Sequence, residues 1–365
     1  MKEQSIPYRR LLNLRINAGR LDRPEQVVKQ LVAMQAQDYH QALWAIGLRM
    51  QASTAADIEQ AISDRKIIQT WPMRGTIHFV SPDDVRWLLK LSAARTLAQD
   101  KRRLEQLELN QDIIERSKQI MYDALQGNKQ ISRPLLMQLL EEAGISTINQ
   151  RGYHLLWYIA QSGHICMGPR EGKQQTFVWL DEWVPKSKEL SMSEALAALA
   201  ERYFTSHGPA TVYDFAWWAG ITLSAARQGV EAVQSRLVSE KVNNQEYWEG
   251  EGEHIQTTTT DSASTVYLLP GFDEHLLGYK DRSAVLIAED AQHIVPGNNG
   301  VFKSTIIIDG QVAGIWKRTI KKKGIDIEFL LFAQHQDRKE GILKTARRYC
   351  GFMGQPLAST TFTNR

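Results

Sequence analysis

The stretch Ile67-Ile-Gln-Thr-Trp-Pro-Met-Arg-Gly-Thr-Ile-His-Phe-Val80 decides how the chain is read. β-Branched and aromatic side chains crowd its ends, and Pro72 and Gly75 bend its middle, which predicts a short β-hairpin. Helix signals surround it. On the N-terminal side, Pro7–Ala18 carries Leu11, Leu12, Leu14 and Ile16 with Arg9, Arg10 and Arg15 interleaved. Asp22 offers an N-cap just ahead of Pro24, a residue suited to a helix's first turn. Ser53–Ile62 reads as a further helix, with Ile58 and Ile62 apolar. On the C-terminal side, Ser81-Pro-Asp-Asp84 caps a helix over Asp83–Leu97. Helices closed by a small hairpin are the pattern of a winged helix-turn-helix.

The pattern returns twice, at a spacing of roughly 75 residues, the kind of regularity that marks tandem structural repeats. Asp112–Gln126, Pro134–Ala143 and Arg151–Ser162 read as helices, with strands at His164–Met167 and Thr176–Leu180. Ser193–Ser206, Thr211–Ala219 and Ser224–Ser235 follow, with a hairpin from Leu237–Val242 and Glu246–Glu249. From Ile255 the composition changes. Thr257–Thr265 is polar with high β propensity, and Val266–Leu269 is a buried type of strand. Ser304–Asp309 and Gln311–Arg318 flank Asp309-Gly310, a strong hairpin signal. Ile325–Phe332 is another strand and Arg338–Phe352 a terminal helix. The expected fold is mainly α with an α+β C-terminal part. It comprises three tandem winged helix-turn-helix units over 1–108, 109–188 and 189–255, and a β-rich domain over 256–365. An all-α domain with incidental hairpins fits the same pattern.

Composition narrows the classes. A chain of 365 residues exceeds what one core holds, so several domains are expected. With 43% hydrophobic and 23% charged residues it is ordinary for a globular protein. No apolar run reaches membrane-spanning length, and the N-terminus lacks a signal-peptide core, so a cytoplasmic protein is expected. Cys166 and Cys350 stand apart, without CxxC spacing, and no His, Cys and carboxylate set suggests a metal or any other cofactor. The net charge of +3 permits a nucleic-acid partner without demanding one.

The placement of charge says more than its total. Lys317-Arg-Thr-Ile-Lys-Lys-Lys323 lies on or beside a hairpin, where Lys321, Lys322 and Lys323 can meet phosphates. Arg338, Lys339, Lys344, Arg347 and Arg348 form a second cluster on the terminal helix. Gly168-Pro-Arg-Glu-Gly-Lys173 lacks the phosphate-loop spacing and reads as a wing turn, whose Arg170 and Lys173 can touch DNA. Arg74 belongs to the first wing, where an arginine commonly meets phosphate or the minor groove.

One further stretch carries a chemical pattern. In Leu31-Val-Ala-Met-Gln-Ala-Gln-Asp-Tyr-His-Gln-Ala-Leu-Trp44, Gln35 and Gln37 fall between an expected helix over Gln26–Met34 and another over Ala42–Met50. In an extended or turn conformation, side chains at i and i+2 point the same way. Two amides can then converge on one water. Two solvated glutamines at a helix end fit the pattern equally. Asp38 follows as a nearby charge, and Gln41 carries no assigned role.

Arg74-Gly-Thr-Ile-His78, Leu268-Leu-Pro-Gly-Phe-Asp273 with Leu276-Leu-Gly-Tyr-Lys-Asp-Arg282, and Asn299-Gly300 followed by Ile306–Trp316 together resemble one family. It is the AlkZ/YcaQ-like family of winged-helix DNA glycosylases, and the likeness covers most of the chain. The resemblance implies a concave scaffold of tandem winged helices, removal of bulky alkylated purines, and in some members of interstrand crosslinks. It implies a lesion probed from the groove while largely stacked. The family's catalytic pair is a glutamine followed two positions later by glutamine or aspartate, which here is Gln35 and Gln37. A purine alkylated at N7 is already a cationic leaving group, so placing a water below C1′ is the main remaining task. The expected partner is double-stranded DNA bearing alkylated purines, met by a monomer. By sequence, Asp273, Asp281 and Arg282 read as an internal ion-pair and capping system joining the β domain to the helical scaffold, and His78 as a satisfied inter-domain histidine. A non-catalytic winged-helix regulator and a helical interaction protein without a DNA partner remain as competing functions.

Overall fold

The computed structural model describes residues 5–251, 266–333 and 335–365. The polar segment Thr257–Thr265 and the expected boundary at 255/256 lie outside the described residues. The chain forms a mixed α+β fold with two compact units, one made of residues up to 58 together with 197–365, the other of 59–196.

Unit 1 opens with α1 (Ile6–Asn13), α2 (Pro24–Leu31), β1 (Ala33–Gln35) and α3 (Tyr39–Leu48). The first division falls inside α4 (Ala55–Ser63). The expected helix over Gln26–Met34 is shorter than its pattern. It stops at Leu31, and Val32 adopts φ 68°, ψ −56°, in the strained γ-turn region. Val32-Ala-Met34 is a short apolar run, and periodicity alone does not separate such a run as helix from a buried strand. Likewise the first helix ends at Asn13 rather than Ala18, and Arg15 turns to φ 60°.

Unit 2 follows with β2 (Ile68–Met73), β3 (Thr76–Val80), α5 (Val85–Gln99), α6 (Lys101–Gln106), α7 (Gln111–Leu125), β4 (Ile131–Ser132) and α8 (Arg133–Glu142). It continues with α9 (Arg151–Gln161), β5 (Ile165–Glu171), β6 (Gln174–Trp179) and α10 (Leu180–Trp183). Within the unit the strands lie in the order β3-β2-β5-β6-β4. The decisive stretch is the hairpin β2–β3, with Ile68 opposite Val80. Its two-residue turn, Arg74-Gly75, has φ of 52° and 67°, the primed type that matches strand twist. Pro72 lies in the register shift between Thr70 and Met73, the kind of position that tolerates a missing donor.

The second division falls inside α11 (Met192–His207), and unit 1 resumes through α12 (Val212–Ala219), α13 (Leu223–Val233), β7 (Leu237–Val242) and β8 (Gln245–Gly250). Then come β9 (Val266–Leu269), α14 (Glu274–Leu277), α15 (Ala291–Ile294), β10 (Thr305–Ile308), β11 (Gln311–Lys321), β12 (Gly324–Leu331), α16 (Lys339–Phe352) and β13 (Leu357–Asn364). The five-stranded sheet has the order β13-β12-β11-β10-β9. The last strand, which the sequence pattern does not announce, pairs parallel to β12.

This sheet and its helix hold α3 in place. The Trp44 indole donates to the Leu268 carbonyl at 2.8 Å, and Gln41 Nε2 donates to Ser304 Oγ at 3.0 Å. Gly47 of α3 has no room for a side chain, since an added Cβ would fall 2.3 Å from the ring of Phe352 on α16. Arg348 caps the far end of α3, with one nitrogen donating to the carbonyls of Gly47, Leu48 and Met50 at 3.1–3.3 Å. Arg348 therefore belongs to the interior, and burial pushes its pKa down to about 10. Among the described residues no helix is long and apolar enough to cross a membrane.

Candidate active site

The strained turn at Val32 converts the axis of α2 into three extended residues, Ala33–Gln35. Extended backbone alternates its side chains. Met34 and Ala36 are buried, while Gln35 is half-buried and Gln37 exposed. Gln35 ends β1 and Gln37 lies in the bend after it, on either side of the buried Ala36. Asp38 then starts α3, where its Oδ1 accepts from the Gln41 backbone N–H at 3.2 Å. This is an N-cap role, which ties the carboxylate of Asp38 to the helix.

Beneath the strand lies a buried acid that sequence reasoning missed. Gln35 N–H donates to Glu274 Oε1 at 3.4 Å. Glu274, on α14, is 2% exposed. Its Oε2 accepts from the Trp218 indole of α12 at 2.9 Å and faces His207 Nε2 of α11 at 3.3 Å. The Ser206 hydroxyl donates to the Arg202 carbonyl at 2.6 Å, so its oxygen is left to accept from His207 Nδ1, 2.8 Å away. His207 packs against both Tyr203 and Trp218, with ring centres 4.9 and 5.0 Å away, and the Tyr279 hydroxyl donates to its carbonyl at 2.7 Å. The signal in the sequence was Asp273-Glu274-His275 between the apolar Leu268–Phe272 and Leu276-Leu277, three ionisable residues that the chain must satisfy once buried.

The neighbouring Asp273 has a different task. Its carboxylate receives Arg49 through two nitrogens, each at 2.9 Å, with both side chains buried. Arg49 also donates to the carbonyls of Leu14 and Ala45 at 2.9 and 2.7 Å. Asp273 also caps α14 by accepting from His275 N–H at 2.9 Å. Asp281 accepts from Ser283 N–H, and Arg282 donates to the Leu276 carbonyl. The structural reading of these three residues agrees with this geometry. His78 is fully buried, with Nδ1 2.9 Å from the Thr76 carbonyl and Nε2 3.5 Å from Arg74 Nη2.

The basic candidates fall at or beside hairpin turns. In unit 2, Arg74 occupies one turn, Lys173 another, and Arg170 lies half-buried on β5. Since β2 and β5 run antiparallel with Gln69 opposite Met167, these turns lie at opposite ends of the sheet. At about 3.3 Å per strand residue the separation is roughly 35 Å, so the structure does not bring Arg74 and Lys173 together. In unit 1, Lys322 and Lys323 form the exposed turn between β11 and β12. Lys321 is paired with Asp326, which also accepts from Ser359 at 2.7 Å. Gln41, without a role in the sequence reading, lines a cleft together with Asp38 and donates to Ser304, so it is no neutral comparator for the glutamines. Among the described residues no group of three His, Cys, Asp or Glu side chains is placed to hold a metal ion.

Comparison with known proteins now bears on this arrangement. A relative from Streptomyces sahachiroi, named interstrand DNA cross-link repair glycosylase, is 24% identical over 313 residues, covering 80% of this chain and 81% of its own. The solved structure of Streptomyces sahachiroi DNA glycosylase AlkZ superposes with a TM-score of 0.80 at 20% identity, covering 97% of each chain. The family model for DNA glycosylase AlkZ-like matches residues 28–352, which include the glutamine strand, Glu274 and the β11–β12 hairpin. The chain belongs to the AlkZ-like family of DNA glycosylases, enzymes that hydrolyse the bond between base and sugar.

Proposed function

We propose that this protein removes bulky N7-alkylated purines from double-stranded DNA, unhooking interstrand crosslinks among them, with a water positioned by Gln35 and Gln37. One observation carries the reading: Gln35, at the end of β1, and Gln37, in the bend that follows, keep exposure on either side of the buried Ala36, and the backbone of Gln35 is held by a buried acid. A pair of neutral amides both donates and accepts, and so can hold a water in one orientation under the sugar. The cationic purine leaves readily, and the pair's contribution is placement of the nucleophile.

The three sets of helices with hairpins serve as winged-helix units within the parts 1–108, 109–188 and 189–255, and 256–365 supplies the β-rich domain. The hairpin cations Arg74, Arg170, Lys173, Lys321, Lys322 and Lys323 make the backbone contacts, and the protein works as a monomer.

Single-turnover excision of an N7-alkylguanine from a duplex tests the reading. Gln35→Ala and Gln37→Ala should each slow it by roughly a hundredfold, the effect of one lost polar contact in a transition state of about 3 kcal/mol. The double variant should fall short of the product of the two, because both side chains act on one water. Gln119, exposed on α7 and bonded to Asp123 in its own helix, is the comparator. Normal excision in both single variants would move the chemistry elsewhere.

A further inference from the structure

We propose that the second half of α5 and the whole of α6 form a docking face for the phosphate backbone of the DNA substrate, in unit 2 and away from any hairpin. The inference needs a DNA substrate, which follows from family membership, and is independent of the chemistry assigned to the glutamines.

A helix in a folded protein owes most of its stability to a buried apolar stripe. In α5 the buried residues are Val85, Trp87, Leu88, Leu89 and Ser92, none of them beyond the helix midpoint. From residue 93 to the end of α6 no residue is buried, and Leu97 and Leu104 reach only half-burial. What the segment offers instead is charge. Residues 90–106 carry five cations, Lys90, Arg95, Lys101, Arg102 and Arg103, against Asp100 and Glu105. Their net +3 equals that of the whole chain, so the rest of the protein is neutral in sum. All five cations are exposed. Asp100 is turned inward, its side chain 10% exposed and its Oδ2 2.7 Å from His154 Nε2. The face that solvent meets is therefore positive, with Glu105 near its far end. Crowded like charges on an unburied helix add nothing to folding, whereas each can neutralise a phosphate when DNA lies against them.

Polar ties to α9 hold this face in place. Arg151, at the start of α9, donates to the carbonyl of Leu107 and, at 3.3 Å, to that of Glu108, just past α6. One turn on, His154 meets Asp100 and stacks on Trp157 with ring centres 5.1 Å apart. The Trp157 indole donates to the Gly75 carbonyl at 3.2 Å. His154 and Trp157 are three residues apart, about 4.5 Å along the helix axis. The α5–α6 junction and the Arg74-Gly75 turn thus meet the same turn of α9, inside unit 2. A duplex carries one phosphate charge per about 1.7 Å of its axis, so a single backbone can engage both sets of cations.

The test is binding of an undamaged duplex across a salt series, which makes the result independent of excision. Lys101 and Arg102 are exposed and without an ion pair among the described residues, and alanine suits a helix, so Lys101→Ala/Arg102→Ala should keep the fold. At about 0.9 for each lost phosphate contact, the slope of log affinity against log salt should fall by about 2. Lys186→Ala/Lys188→Ala removes the same charge beside the opposite end of α5, where Lys188 N–H donates to the Asp83 carbonyl, and should leave the slope unchanged. Arg102→Lys keeps the charge and should also keep the slope. An unchanged slope in the α6 variant overturns the proposal. So does an equal drop in the Lys186/Lys188 variant, which would assign the effect to overall charge, or a drop in Arg102→Lys, which would assign it to altered structure.

Discussion

Glu274 is the residue on which the arrangement of the glutamine strand depends most closely. Removing its carboxylate takes away the acceptor of the buried Trp218 indole and of the half-buried Gln35 amide. At about 1–3 kcal/mol for each hydrogen bond removed, Glu274→Ala should lose about 2–6 kcal/mol of stability by urea unfolding. Excision should suffer beyond what partial unfolding explains, because a displacement of about 1 Å at a positioning group can cost about a hundredfold. Glu274→Gln keeps an acceptor and the volume, and should recover much of both. A folded Glu274→Ala variant with wild-type excision would show that the acid holds the core and not the strand. Asp38, the charge nearest to the glutamines in sequence, is by contrast occupied as the cap of α3. The carboxylate closest in sequence and the one beneath the strand are different residues, about 240 positions apart in the chain, and no spacing rule could have joined Gln35 to Glu274.

Among the elements, α14 is one turn of helix with an unusual burden, since Glu274, His275, Leu276 and Leu277 are all buried. Its His275 faces the Gly310 carbonyl from Nε2 at 3.4 Å, and burial pushes its pKa down to about 4. An unfolded histidine titrates near 6.5. Between those values the unfolded chain holds a proton that the folded chain refuses, so stability falls as pH drops from about 6.5 toward about 4 and is unaffected above that range. At about 1.4 kcal/mol per pH unit, the loss between pH 6.5 and pH 5 should be about 2 kcal/mol. Urea midpoints of the wild type and His275→Gln at the two pH values would show it, and equal pH slopes would refute it. Other parts of the element plan were legible in the sequence. Arg74-Gly75 and Asp309-Gly310 announced their hairpins because both turns demand positive φ, and Pro and Gly punctuate helices for equally local reasons. Two features were not legible. The turn at Val32 runs against local preference, because a β-branched residue avoids positive φ, and only the surrounding packing holds it there. Strand β13 is half-polar and mostly exposed, so its burial pattern carries little signal, and its parallel pairing to β12 depends on contacts distant in sequence. In the candidate site, the glutamines and the hairpin cations stood out as motifs, whereas Glu274, His207 and the cleft became visible only once the elements were assembled.

At the scale of the whole molecule, a net charge of +3 is too small to drive DNA binding by itself, and the cations must act through their placement. If Lys322 and Lys323 meet phosphates, the double alanine variant should reduce the slope of log affinity against log salt by about 2, since each contact contributes about 0.9. Lys321→Ala should change the slope less, because Asp326 already offsets that charge. An unchanged slope in the double variant would remove the β11–β12 turn from the interface. Unit 1 also has a consequence in time, because it is written in two pieces, with residues 59–196 between them. A ribosome releases the glutamine strand first, and Glu274 follows 239 residues later. At about 5–20 residues per second, the strand waits roughly 12–48 seconds for the acid that will hold its backbone. Throughout that interval the Gln35 amide waits for Glu274, while the inserted unit, contiguous in the message, can finish folding. The nascent chain can therefore complete the hairpins β2–β3 and β5–β6 before it can join the glutamine strand to Glu274, and an interruption of synthesis between the two leaves a polypeptide with the inserted unit and without that junction.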